Sequence, residues 1–188
     1  RESMIKWLLV TFLIGMALLL WRSTAFANSN LPKAGEQAPG FSLPDQNGRL
    51  RTNAEFRGRW LVLYFYPKDD TPGCTEQACA FRDDLHRLTA LGAEIVGVSV
   101  DGTLSHQAFA KKYSLPFPLL ADAKGELARR YGSLRDLGLI RFARRNTFLI
   151  DPQGRVAKVY LSANTSRNSQ EVIDDLKKLT AFHAISNL

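Results

Sequence analysis

The 188-residue chain is poor in the side chains that hold metal ions, with two cysteines and three histidines in all. A structural zinc site needs four Cys or His ligands at close spacing. His86, His106 and His183 are too scattered to complete such a set around Cys74 and Cys79, so no metal site is expected. The chain also lacks long Gly/Ser or acidic tracts, coiled-coil heptads, and any repeat with a period of roughly twenty to fifty residues. Those absences exclude linkers between domains, rods and repeat arrays. What remains, 45% hydrophobic and 23% charged residues, is the balance of one ordinary folded unit with a full core.

Positive charge is in excess, +7 overall, from 25 Lys and Arg against 18 Asp and Glu. The basic residues are spread along the chain, with short clusters at Arg129-Arg130 and in RFARR, Arg141 to Arg145. No aromatic-studded basic groove or nucleic-acid motif accompanies them, so nucleic acid is not an expected partner. Adhesion to anionic lipid suits such charge better. The first thirty residues read as a leader: WLLVTFLIGMALLLW, Trp7 to Trp21, is apolar throughout, with Lys6 before it and Arg22 after it. Its length lies between a signal-peptide core and a spanning helix, and Ala25-Phe26-Ala27 has the small-x-small form that precedes signal cleavage. The expectation is a leader over 1–30, either cleaved near Ala27 or kept as a membrane tether through residues 5–21. A domain over 31–188 would then lie outside the cytoplasm, in the periplasm or an equivalent lumen.

Within 31–188, strand and helix patterns alternate. Asn47-Gly48 signals a hairpin turn in FSLPDQNGRLRT. WLVLYFY, Trp60 to Tyr66, is apolar and aromatic without a break, the pattern of a central strand buried on both faces, and Pro67 ends it. From Thr75, Ala78, Phe81, Leu85 and Leu88 follow helical spacing to about Leu91, before Gly92. EIVGVSV is a second buried strand. His106 to Tyr113 reads as a helix, Leu119-Leu120 as a short strand and Gly125 to Tyr131 as a helix. NTFLIDPQGRVAKVYL forms a hairpin, and Ser169 to Phe182 is a closing amphipathic helix. The order predicts an α/β fold, a central mixed sheet with helices on both faces.

Both cysteines lie in YFYPKDDTPGCTEQAC, just after the first buried strand. Cys74 falls between a strand's carboxyl end and a helix start, where free N–H groups and the helix dipole favour an anion. An ordinary thiol with a pKa near 8.5 is only about 3% ionised at pH 7, so a site that favours thiolate raises reactivity. Cys79 is five residues on; on one α-helix the pair is rotated by about 140° and separated by roughly 7.5 Å along the axis. A disulfide needs Cα atoms within about 7 Å and side chains turned toward each other, so a bridge would require the helix to unwind. Oxidation of one cysteine to a sulfenic acid followed by condensation with the other is compatible with that geometry. Two buried small apolar residues in a core helix is the bland alternative. Cys-x-x-Cys oxidoreductases and Cys-x-x-x-Cys copper carriers have a different spacing, although a membrane-tethered thiol–disulfide or metal-handling module remains a competing reading.

The stretch resembles the active site of the peroxiredoxins, specifically their Q group, the bacterioferritin comigratory proteins. Pro67, Thr71 and Cys74 match the pattern Pro-x-x-x-Thr-x-x-Cys. FSLPDQNG, GVSVD and FLIDPQG stand in the order of that group's other landmarks, so the likeness runs from about Leu31 to the C-terminus. The resemblance implies a thioredoxin-like fold and a thiol-dependent peroxidase acting on hydrogen peroxide and alkyl hydroperoxides. It implies Cys74 as peroxidatic thiolate, Cys79 as resolving cysteine, Thr71 as a hydroxyl against the sulfur and the peroxide, and Pro67 as a shield. Arg145, before NTFLID, matches the family's active-site arginine, with Arg144 as competitor on the opposite face of a strand. No metal, haem or flavin is implied. Thioredoxin or a similar dithiol donor would reopen an intramolecular disulfide in a monomeric enzyme.

Overall fold

A computed structural model describes residue 15 and residues 31–186, with side chains through residue 181. The expected cleavage near Ala27 and the expected tether at residues 5–21 fall outside this range. Among the described residues no helix is long and apolar enough to cross a membrane.

Among the described residues the first strands, β1 (Ser42–Pro44) and β2 (Leu50–Thr52), pair antiparallel as a hairpin. Its turn is held by Asp45, whose carboxylate accepts the N–H groups of Asn47 and Arg49 at 2.8 and 3.1 Å while Gly48 takes a φ of 75°. A 3-10 turn (Asn53–Phe56) leads to β3 (Trp60–Phe65), buried at all six positions. There follow α1 (Pro72–Asp83), α2 (Leu85–Ala90), β4 (Ala93–Ser99), α3 (Thr103–Tyr113), β5 (Leu119–Ala121) and α4 (Glu126–Arg130). A second hairpin, β6 (Leu134–Asp136) and β7 (Arg141–Ala143), precedes β8 (Thr147–Ile150), β9 (Val156–Tyr160) and α5 (Asn168–Ser186).

Five strands form the main sheet in the order β5-β4-β3-β8-β9. β3 runs parallel to β4 and antiparallel to β8, so the sheet is mixed, as the alternating pattern predicts. Because successive strand side chains point to opposite faces, β3 feeds two cores. Val62, Tyr64 and Tyr66 pack with Ala78, Phe81, Leu88, Phe109 and Val172. Leu61, Leu63 and Phe65 pack with Phe56, Leu127, Tyr131 and Phe148. Each fully buried aliphatic or aromatic side chain contributes about 1.5–3 kcal/mol, so β3 and α1 are held rigidly against one another beneath the cysteines.

Three expectations need correction. The helix from Thr75 to Leu91 begins earlier, at Pro72, and is broken at Asp84, whose φ of −90° and ψ of 2° end α1 and start α2. Its amide bonds back to the Ala80 carbonyl and its own carbonyl accepts from Leu88; Phe81 and Leu88, on either side of the break, both reach full burial. The β6–β7 hairpin has no counterpart in the sequence reading, because LRDLGLIRFA has no clean period-2 alternation and its tip leaves Leu137, Leu139 and Ile140 exposed. Arg144 and Arg145 lie in the connection between β7 and β8, not within a strand, so strand alternation is not what separates them.

Candidate active site

The loop from Tyr66 to Thr71 leaves the carboxyl end of β3 and enters α1. Pro67, half-buried, opens it. Asp70 takes a positive φ of 55°, tolerable for Asp, and its carboxylate accepts bonds from Lys112 Nζ and the Tyr113 hydroxyl on α3. Thr71 is the residue before the helix, extended at φ −91° and ψ 150°, and Pro72 occupies the first helical position, where its missing N–H is not needed. The Thr71 carbonyl accepts the Thr75 N–H at 2.9 Å, and its hydroxyl donates to the Lys68 carbonyl at 3.0 Å. Cys74 therefore sits in the first turn of α1, where backbone N–H groups lack intrahelical partners and the dipole favours negative charge.

Cys74 is 1% exposed, and Arg145 Nη2 donates to its Sγ at 3.3 Å. The other arm, Nη1, donates to Gln77 Oε1 at 2.8 Å and approaches the Gly73 carbonyl at 3.4 Å. A planar fork is thereby spread across one helical turn. Gly73 permits it: a Cβ at this position would stand 3.3 Å from Arg145 Nη2 and 3.4 Å from Thr165 Cγ2. The backbone of Arg145 is fixed too, its carbonyl accepting the Ala163 N–H at 2.7 Å. Next to it, buried Asn146 accepts from Ser162 N and donates to Ser133 Oγ. Arg144 faces elsewhere. Its Nε is buried without a hydrogen-bond partner among the described residues, and burial and the Arg135 charge pull its guanidinium below the ordinary value.

Gln77, Asn168 and Thr147 were not anticipated from sequence. Gln77 is fully buried; its Nε2 donates to Asn168 Oδ1 at 3.0 Å, which also accepts Thr147 Oγ1 at 2.7 Å. Arg145 is thus aimed by a chain of three polar side chains from α1, α5 and β8. The one available sequence signal was a polar residue three positions after Cys74 on a helix face that is otherwise apolar; nothing local pointed to Asn168 or Thr147.

Cys79 lies on the same helix as Cys74, half-buried, and both thiols are free. The Tyr64 ring packs beneath them against Phe81, centroids 5.0 Å apart. Burial pushes the Tyr64 phenol well above its ordinary value, and negative charge at Asp69, Cys74 and Cys79 adds to this while Arg145 opposes it. Its hydroxyl is buried with no hydrogen-bond partner among the described residues.

The model of the AhpC/TSA family fits residues 34–159. Peroxiredoxin Q of Populus jackii, a chloroplastic protein, is 42% identical over 159 residues, spanning 84% of this chain and 71% of its own. The chain belongs to the AhpC/TSA family, as a Q-type peroxiredoxin. Solved structures agree. This peroxiredoxin superposes on the peroxidoxin BcpB of Mycobacterium tuberculosis with a TM-score of 0.75 and 33% identity, over 78% of this chain and 97% of that one. With the bacterioferritin comigratory protein of Xanthomonas campestris, described for its alkyl peroxide reduction activity, the TM-score is 0.72 at 30% identity, over 79% and 99%. The mixed sheet and flanking helices are the thioredoxin-like fold of these peroxiredoxins, and the protein is a thiol-dependent peroxidase.

Proposed function

We propose that Cys74 is the peroxidatic residue and Cys79 its resolving partner. The observation that carries this is the Arg145 guanidinium at 3.3 Å from a sulfur held in the first turn of α1. Cys74 thiolate attacks one oxygen of hydrogen peroxide or an alkyl hydroperoxide, the O–O bond breaks, and the leaving oxygen departs as water or alcohol after taking a proton. Sulfur is oxidised by two electrons to the sulfenic acid. Arg145 stabilises the thiolate and the charge that develops on the departing oxygen. Pro67 shields the sulfur, and Thr71, released from the Lys68 carbonyl, turns its hydroxyl to the peroxide. The Cys79 thiol then displaces hydroxide from the sulfenic acid, giving a disulfide and water. A thioredoxin-like dithiol donor returns both electrons.

A peroxide-consumption assay with a dithiol reductant tests this reading. Cys74→Ser abolishes turnover; full activity in that variant would sink the assignment. Cys79→Ser still forms the sulfenic acid in a single turnover but makes no intramolecular disulfide. We also propose that residues 1–30 deliver the domain to a compartment outside the cytosol, which intact-mass measurement and fractionation of native material check.

A further inference from the structure

The loop that carries Pro67 and Thr71 to Cys74 is tied at a buried point that the peroxidase chemistry does not use. Asp69 is 7% exposed and His106, on α3, is fully buried. His106 Nδ1 lies 2.8 Å from Asp69 Oδ2, and Nε2 lies 3.1 Å from the Leu120 carbonyl on β5. Each ring nitrogen therefore faces an acceptor. A neutral imidazole beside an ionised carboxylate would leave one lone pair pointing at another oxygen lone pair, so the pair must hold one additional proton. Asp69 Oδ1 accepts the Tyr66 hydroxyl at 2.7 Å and Oδ2 accepts Ser105 Oγ at 2.7 Å. With two hydroxyl donors already on the carboxylate, that proton belongs on the ring, giving a buried carboxylate–imidazolium pair. Burial alone would push the Asp69 carboxyl up; the His106, Ser105 and Tyr66 donors outweigh it and hold it low. The Asp69 amide donates to Asp101 Oδ2 at 2.9 Å, fixing the loop backbone at the same point.

We propose that Asp69 and His106 form a charged clasp that positions the 67–74 segment for peroxide attack, with both acting as positioning residues. This rests on Cys74 as the peroxidatic thiol. The clasp anchors the loop to α3 and β5, which carry neither cysteine, so the unwinding that brings Cys79 to Cys74 starts beyond residue 71 and refolds against a fixed support. The groups that face the pair are Tyr66 just after β3, Ser105 from α3, the Leu120 carbonyl from β5 and, through the Asp69 amide, the Asp101 carboxylate that follows β4.

Asp69→Asn is the discriminating variant, because an amide nitrogen placed at Oδ2 donates to Nδ1 and, with the Ser105 hydroxyl turned to accept, keeps the shape while removing the ion pair. In full-length reduced protein, ¹⁵N spectra of His106 at pH 7 show both ring nitrogens protonated in the wild type and one in Asp69→Asn. Stopped-flow oxidation by hydrogen peroxide is slowed roughly ten- to a hundredfold in the variant, the range that misplacement by about 1 Å produces. A singly protonated His106 in the wild type overturns the proposal, whether or not the variant folds. So does a folded variant with a rate within twofold of wild type. Full activity in Cys74→Ser would instead remove the peroxidatic assignment and leave the His106 spectrum as it is.

Discussion

Replacing Arg145 by Met removes one positive charge 3.3 Å from the Cys74 sulfur and keeps much of the side chain's volume. A unit charge pair at that distance interacts by about 1 kcal/mol at a dielectric of ~80 and about 5 kcal/mol at ~20. Arg145 is half-buried and Cys74 is not exposed, so the local environment lies between these limits. Each ~1.4 kcal/mol is tenfold in rate, giving a loss between about tenfold and a few thousandfold; loss of one donor at a developing oxyanion falls in the middle, about 10²–10³. Stopped-flow mixing of reduced protein with hydrogen peroxide reads this directly as the second-order rate of Cys74 oxidation. Arg145→Lys restores part of it, since a single ammonium cannot reach Sγ and Gln77 Oε1 with the same fork. Arg144→Met is the control, because Arg144 does not contact the sulfur and its Nε has no partner to lose among the described residues; its rate stays within about twofold of wild type. Equal losses in Arg144→Met and Arg145→Met would refute the assignment.

Disulfide formation must unwind α1, so amides from Cys74 to about Arg82 exchange hydrogen much faster in oxidised than in reduced protein; identical exchange would mean that Cys79 does not resolve Cys74 within one chain, and a dimer on non-reducing electrophoresis would show bridging between chains. Gly73→Ala places a methyl against Arg145 Nη2 and Thr165 and slows peroxide oxidation several-fold with little change in melting temperature; an unchanged rate would show that the guanidinium has room to shift. Tyr64→Phe removes a buried hydroxyl without a partner and stabilises the fold by about 1 kcal/mol, read as a rise of a few degrees in melting temperature; a fall of that size would show that the hydroxyl is bonded. For Asp45, burial pushes the carboxyl up, but Arg51 and the Asn47 and Arg49 amides outweigh it and leave it below its ordinary value. A lowered folded value contributes stability that is complete above the unfolded value near 3.9 and is lost as pH falls through the folded one. Urea midpoints at pH 5 and pH 3 therefore differ less in Asp45→Asn than in wild type; an equal difference would place the acid sensitivity elsewhere.

By itself the sequence determined the elements whose cause is local. WLVLYF is apolar and aromatic throughout and read as a strand covered on both faces; Asn47-Gly48 made a turn; helical spacing after Thr75 marked a helix, though not its start at Pro72; and the five-residue step from Cys74 to Cys79 turned the two thiols apart on a shared helix. The motif around Pro67, Thr71 and Cys74 carried the family as well, because it sits within one short segment. What only the tertiary structure decided are the partners that come from far along the chain. That Arg145 rather than Arg144 reaches Cys74 depends on a connection pinned to Ala163 and Asn146, not on alternation within a strand. Gln77, Asn168 and Thr147 meet because α1, α5 and β8 pack together, and the Asp69–His106 pair closes only when α3 lies against the end of β3. Hydrogen bonds and charge pairs depend on distances of a few ångströms between residues tens of positions apart, and such distances are set by packing, which leaves no periodic trace along the chain.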